Sequence, residues 1–396
     1  MSAAPASTSL IRRIGLYSGG FLGPFGGGMV VVLIPEFRDV FDVSTGTASL
    51  VLPAYLVPFA VLQLVSGTIG ERLGRDQVLR VGFLVYALGS IAGAITGSFI
   101  PFLIARAIQG GSNAFTTPIA LAKLADATEE DELGKAVGTY ASVQTAGMLM
   151  APLIGGVAGA VDYRLAFLAA ALASFVLMVI VPEKKPKPDP ELVPSLLSAL
   201  TPRTLWLCVS GMAFYICTVG LAAIVSLAAA DRLGVGSSAR GLLLAGFGFS
   251  GVIAARPSGD LLDRIGTLRV LKISVVATAV LIGSVALGND PYSLSILWFL
   301  AGGASAMVAT TLNTLNVGAS TRNRGGAISI VGSSRFVGAA IAPVIWIPVY
   351  HADPHLAFLL AGLGMGIVLY SASRAINASA GPPALEARPP ASVETV

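Results

Sequence analysis

Two arginines lie where charge is expensive. Arg106 falls about six residues inside one long apolar run and Arg335 about nine inside another, which at 1.5 Å per residue puts Arg335 ~13 Å deep in a helix. In hydrocarbon an arginine at such a depth is costly unless it faces a cavity or a partner, so each marks a functional position by default. The other reading of Arg106 is a side chain snorkelling to the outer surface. No carboxylate lies comparably deep. Glu36, Asp39, Asp162, Asp231, Asp290 and Asp353 fall at the ends of runs or in loops on one side, and Asp260 and Asp263 on the other. A deep guanidinium without an acidic neighbour suits an anionic or zwitterionic solute, or a neutral one held by hydrogen bonds. Proton coupling would need a titratable group in an accessible pocket. Glu36, just after Pro35, and Asp39 are the best available carboxylates, with ordinary outer-loop charges as the competing reading. His351 and His355 flank Asp353 and read as solvated. Tyr55, Asn113, Gln144, Tyr215 and Asn313 are candidates to line a cavity or to join helices by hydrogen bonds. Neither a nucleophile–base pair nor a metal-ligand cluster emerges, so the expectation is no enzyme, no metal and no cofactor.

These residues need a membrane around them. Only 12% of the 396 residues are charged and 55% are hydrophobic, against roughly 25% and 45–50% in soluble domains. A soluble chain could not cover itself with so few charges. The apolar residues come in runs of about 20, the length that spans a ~30 Å hydrocarbon core as helix. Such runs are expected near 14–35, 50–69, 78–97, 100–122, 136–158 and 165–181, then 205–229, 241–259, 270–287, 294–318, 326–349 and 356–373. Most of the 25 Lys and Arg then fall on one side, with Arg38, Arg164, Arg232 and Arg240 on the other. That asymmetry predicts an inner (cytoplasmic) membrane protein with both termini cytoplasmic. It also explains the net charge of +4 without nucleic acid. Cys208 and Cys217 share one run, ~13 Å apart along a helix, too far for a disulfide.

The chain repeats itself. Gly67-Thr-Ile-Gly-Glu71-Arg72-Leu-Gly74-Arg75, between the second and third runs, returns as Gly259-Asp-Leu-Leu-Asp263-Arg264-Ile-Gly266 between the eighth and ninth. The stiff stretch Pro182-Glu-Lys-Lys-Pro-Lys-Pro-Asp-Pro190 separates the copies. The expected organisation is a six-helix half at 1–182, a cytoplasmic linker at 183–204, a second six-helix half at 205–374 and a disordered cytoplasmic tail at 375–396. The fold class is therefore all-α integral membrane, twelve transmembrane helices in two pseudo-symmetric six-helix bundles. Two other patterns carry no function. Gly246-Phe-Gly248-Phe-Ser-Gly251 fits a dinucleotide-binding pattern but lies in an apolar run with no preceding strand, and the acidic run Glu129 to Glu132 reads as a solvated loop.

The Gly67 to Arg75 stretch, with its copy, resembles the inter-helix motif of the major facilitator superfamily. Glu71 stands for the usual Asp, and Asp76 for a usual basic residue. The resemblance implies a cytoplasmic gate formed by Gly67, Glu71, Arg72, Gly74 and Arg75 with Asp263 and Arg264. Arg106-Ala-Ile-Gln109-Gly110 resembles the Arg-x-x-Gln-Gly of proton-driven members and implies a part in proton coupling. Gly147-x3-Ala151-Pro152-x2-Gly155-Gly156 resembles the motif of the antiporter branch, with Ala151 for a usual Gly. A small-residue face with a proline kink suits a bending helix at an interface between halves. The implied function is a monomeric drug:proton antiporter, with lipid, protons and a small molecule as partners. It would export an amphipathic compound, drug or metabolite by alternating access. Uptake of a small organic anion is the alternative, and a non-transporting receptor or scaffold ranks lower.

Overall fold

A computed structural model describes residues 10–128, 133–180, 196–317 and 324–378, and every regular element among them is helical. Nine helices there are long and apolar enough to cross a membrane by length and composition. The other three of the twelve expected spans are shorter or interrupted. The sixth, Arg164–Ile180, is shorter. The first is split into Leu10–Gly28 and Ile34–Phe41, and the fourth into Phe99–Asn113 and Thr117–Asp126. The seventh, Pro202–Cys217, also breaks before continuing as short helical pieces through Arg232. The linker from 183 to 195, the acidic loop 129–132 and the tail beyond 378, with Ser379 of the Asn377 sequon, lie outside the described residues.

The first break follows from the residues on either side of it. Gly26 to Gly28 gives the chain little helical preference, and Pro35 has no N–H to return to Val31. The turn is instead closed by short-range bonds, Val31 N–H to Gly28 (3.2 Å) and Leu33 N–H to Val30 (3.1 Å). The glycines ahead of the break pack closely against neighbours. A β-carbon on Gly23 would lie 2.6 Å from the Thr117 hydroxyl oxygen. Carbonyls freed at the breaks find side-chain donors, as an apolar interior demands. Arg106 donates to Gly26 O (3.1 Å) at the first span and Trp346 to Ile216 O (2.9 Å) at the seventh.

The two halves show the same backbone turn at the repeated motif. Gly74, between Val51–Leu73 and Arg75–Ile95, has φ 91°, and Gly266, between Ser237–Ile265 and Thr267–Ser284, has φ 83°. Both conformations favour glycine for want of a β-carbon. The halves meet where the fifth span (Leu133–Gly159) crosses the eighth: a β-carbon on Gly156 would lie 3.1 Å from Gly241 Cα. They meet again where Phe59 of the second span packs edge-on against Phe336 of the eleventh (Arg324–Ala352), centroids 4.8 Å apart. We call the end carrying Glu36 and Arg240 outer, as the charge asymmetry predicts, and the end carrying Gly74 and Gly266 inner.

Several loop charges serve the helices. Asp290 accepts from Tyr292 N–H (2.9 Å) and Ser293 N–H (3.0 Å) ahead of the tenth span, Pro291–Val317. Hydrogen bonds from Ser293 hold its carboxyl below the usual carboxylate range. Asp353 caps the twelfth span, Pro354–Asn377, by accepting from His355 N–H (2.8 Å). Trp298 is buried against Phe247, centroids 4.5 Å apart. Both cysteines are free.

Candidate functional site

Arg335 lies on the eleventh span, and Nη1 donates to Asn313 Oδ1 of the tenth (2.7 Å). Room for its stem comes from Gly211 on the seventh span, where a β-carbon would sit 2.9 Å from Arg335 Cγ. Beside it Ser334 donates to Cys208 O (3.2 Å). Arg335 Nε is buried without a partner, and among the described residues no carboxylate pairs with the guanidinium. An arginine fixed by a neutral amide keeps its charge available to a bound anion. Next to it Phe336 contacts both Phe59 and Tyr215, the latter at 6.2 Å. Together they offer an aromatic wall next to a cationic head. Asn313 is exposed, while Tyr215 and Gln144 are half-buried. Sequence reasoning missed Gly211, whose signal was a lone glycine facing a deep arginine.

Arg106 belongs to a different place. It is 0% exposed and therefore does not snorkel. Its Nη1 donates to Gly26 O (3.1 Å) of the broken first span and to Gln109 Oε1 (2.8 Å), and Nε to Val51 O (3.4 Å) of the second. Gln109 in turn donates to Ser90 (2.7 Å) on the third span. The guanidinium lies over the Tyr55 ring, 4.4 Å from its centroid, and Tyr55 donates to Gly23 O (3.1 Å). One cation thus ties four spans of one half together. Cation–π contact and a helix C-terminal carbonyl both favour the charge that burial penalises. Asn113, 2% exposed, accepts from the Thr116 and Thr117 hydroxyls (3.1 and 2.9 Å) inside the same half. Tyr55 and Asn113 thus make their side-chain hydrogen bonds within the first half, while Tyr55 stacks on Phe59, which packs on Phe336 beside Arg335.

At the outer end, charges join the halves. Arg38 Nη1 pairs with Asp231 Oδ1 of the seventh span (2.9 Å) while Nε holds Asp39 (2.8 Å). Glu36 pairs with Arg240 on the first turn of the eighth span. Arg240, 5% exposed, also donates from Nη1 to Val235 O (2.9 Å) and from Nη2 to Val32 O (3.2 Å). Ser226 reaches the same Val32 carbonyl at 3.5 Å. Glu36 is thus drawn to the opposite half, whereas the Asp39 side chain is 68% exposed. Sequence reasoning had placed Arg38, Asp231 and Arg240 at the outer end without a role.

The inner motif is partly in view. Arg72 and Arg264 are exposed, and a β-carbon on Gly67 would meet nothing within 4 Å. The Glu71 and Asp263 side chains, on which the gate expectation turns, lie outside the described residues. Asp76, the departure from the family pattern, pairs with Lys123 at the inner end of the fourth span. Its negative charge is thereby balanced within its own half. Gly147, Ala151, Pro152, Gly155 and Gly156 form a close-packing face on the fifth span. A β-carbon on Gly147 would lie 3.2 Å from Phe21 Cα, one on Gly155 3.1 Å from Val32 Cγ1, and Ala151 is fully buried.

A family model described as Major Facilitator Superfamily matches residues 16–227 and again 207–392. Among similar proteins, multidrug efflux protein YfmO of Bacillus subtilis is 24% identical over 324 residues, 81% of each chain. Puromycin resistance protein pur8 of Streptomyces alboniger is 32% identical over 131 residues, 33% of this chain and 26% of that one. Other matches are partial: the aligned stretch covers 19% of the MFS antiporter QDR3 of Candida albicans. Similarity in fold extends to the crystal structure of a bacterial homologue of the human lysosomal transporter Spinster in an inward-facing and occupied conformation. Its TM-score is 0.74 at 14% identity, covering 93% of this chain and 96% of that one. With its two helical halves and repeated inner turn, this chain belongs to the Major Facilitator Superfamily.

Proposed function

We propose that the protein is a monomeric, proton-coupled antiporter of a cytoplasmic membrane, with both termini inside. It exports a small amphipathic compound, drug or anionic or zwitterionic metabolite by alternating access and carries out no enzymatic step. One observation carries the reading: Arg335, held by Asn313 (2.7 Å) and flanked by Phe336, is a cationic site with no acid paired to it among the described residues. It suits a molecule with an apolar ring system and an anionic group. The ion pairs that close the outer end support access from the inner side. Relatives named for multidrug efflux and puromycin resistance support outward transport. Glu36 is the proton-binding group of this reading, because opening the outer end would part it from Arg240 and expose it to outside water. The inner gate and the antiporter-like face of the fifth span are the moving parts.

A pH-sensitive dye inside proteoliposomes, with an imposed proton gradient and added amphipathic acids, tests the reading. Substrate-evoked proton movement opposite to substrate flux is the expected result. Movement in the same direction would overturn antiport in favour of anion uptake, which the same Arg335 would serve. No proton movement with any compound would leave a uniporter or a receptor.

A further inference from the structure

Val32 O is the least ordinary carbonyl of the first span. In a continuous helix it would accept from the N–H of Glu36, four residues on. Here both of its donors, Arg240 Nη2 at 3.2 Å and Ser226 Oγ at 3.5 Å, come from the opposite half. The break they serve is otherwise held by two bonds of the shorter i to i+3 kind, Val31 to Gly28 and Leu33 to Val30. Val30 and Val32 are fully buried, so water cannot stand in for a missing donor while the outer end is closed. Arg240 is fixed for this task by Val235 O (2.9 Å) and by its pair with Glu36.

We propose that Arg240 is the positioning residue that holds the first span broken, and that the break rewinds into helix when the outer end opens. Parting the halves removes both donors from Val32 O. The chain can replace them by closing its own bonds rather than leaving the carbonyl to outside water. Rewinding supplies four: Val30 N–H to Gly26 O, Val32 N–H to Gly28 O, Ile34 N–H to Val30 O and Glu36 N–H to Val32 O. Gly26 O can accept Val30 while keeping Arg106, since a carbonyl has two lone pairs. Only Val31 O stays without a donor, because Pro35 has none to give. Rewinding shortens the segment and turns Glu36 about the helix axis away from the eighth span. A single arginine of one half would thereby set the fold of the gate helix in the other. The inference rests on the alternating-access part of the proposed function, and its test reads structure rather than transport, so the two can fail separately.

Hydrogen exchange over the peptide covering 28–37 is followed in the full chain, in a background with Cys208→Ser and Cys217→Ser. A pulsed electron paramagnetic resonance distance is measured between spin labels at Val40 and Tyr292, outer-end positions of opposite halves that are 54% and 82% exposed. Arg240→Ala is expected to lengthen that distance and to slow exchange about five-fold, the factor that about 1 kcal/mol of new hydrogen bonding supplies. Arg240→Lys, which keeps the charge but not the fork, should move both readouts the same way by less. Glu36→Gln, which keeps Arg240 on Val32 O, should leave exchange within about two-fold of the parent. A longer distance with unchanged or faster exchange would overturn the proposal, since the break would then persist and be hydrated. An unchanged distance in Arg240→Ala would overturn it too. Should Arg240→Ala fail to fold, the Arg240→Lys pair of readouts decides on the same criteria.

Discussion

Arg335→Gln is expected to abolish export of anionic compounds, lowering transport at least about ten-fold, the loss of one charge-assisted hydrogen bond of ~1.5–3 kcal/mol. The glutamine can still meet Asn313, so the helices keep their contact while the charge is lost. Arg335→Lys should restore part of the activity, because a point charge remains but the planar fork does not. The comparison that matters is with a lipophilic cation of similar size. If Arg335→Gln transported that cation as well as the parent and lost nothing with anions, the site would not be the one described. The measurement is initial flux into everted vesicles, normalised to protein in the membrane. Asn313→Ala should give a smaller loss with the same charge dependence, since it frees Arg335 from its 2.7 Å partner without removing the cation.

Arg106→Ala is expected to damage the fold before it damages transport. Two effects oppose one another. Removing a buried cation without a carboxylate relieves a desolvation cost, and buried charges replaced by well-packed apolar groups are often neutral or stabilising. Alanine is not such a replacement. It leaves a hole under the Tyr55 ring, takes a second donor from Val51 O, and strands Gly26 O and the Gln109 side-chain oxygen, the last two worth about 1–3 kcal/mol each when buried and unpaired. The second effect wins, and detergent-solubilised Arg106→Ala should unfold at least about 5 °C below the parent. Arg106→Lys should not rescue it, because one ammonium cannot reach three acceptors on three spans. Equal melting of parent and Arg106→Ala would move Arg106 from the scaffold into the coupling machinery that its resemblance to proton-driven members implies.

How much of this was legible in the chain depends on whether a feature is local. Twelve apolar runs and the copied Gly74 and Gly266 turns could be read because helix length and backbone conformation follow from neighbouring residues. The depth of Arg106 and Arg335 was legible for the same reason. Which way each points was not, since the helices that carry them are apolar on most faces. Arg106 turns into its own half and Arg335 meets Asn313, a distinction set by packing. The outer lock was hidden further still. Arg240 was placed just outside an expected span starting at 241, yet the helix starts at Ser237 and carries Arg240 in its first turn. Its partner Glu36 lies 204 residues away in the other half. Pairings of that kind depend on how two bundles dock. The break in the first span had signals in Gly26 to Gly28 and Pro35, but apolar residues run on across it, so hydropathy alone does not show the interruption.

The central claim is that Arg335 and Asn313 line a site open to the inner side while the outer end is closed by Glu36, Arg38, Asp231 and Arg240. Asn313→Cys, in the background with Cys208→Ser and Cys217→Ser, turns that site into a reporter. A membrane-impermeant maleimide is applied to right-side-out and to everted vesicles, and the labelling rate is read with and without a transported anion. The expected result is fast labelling in everted vesicles, slowed by the anion, and slow labelling from the outer side that rises in Arg240→Ala. Fast labelling of the parent from the outer side, with none from the inner side, would contradict the account.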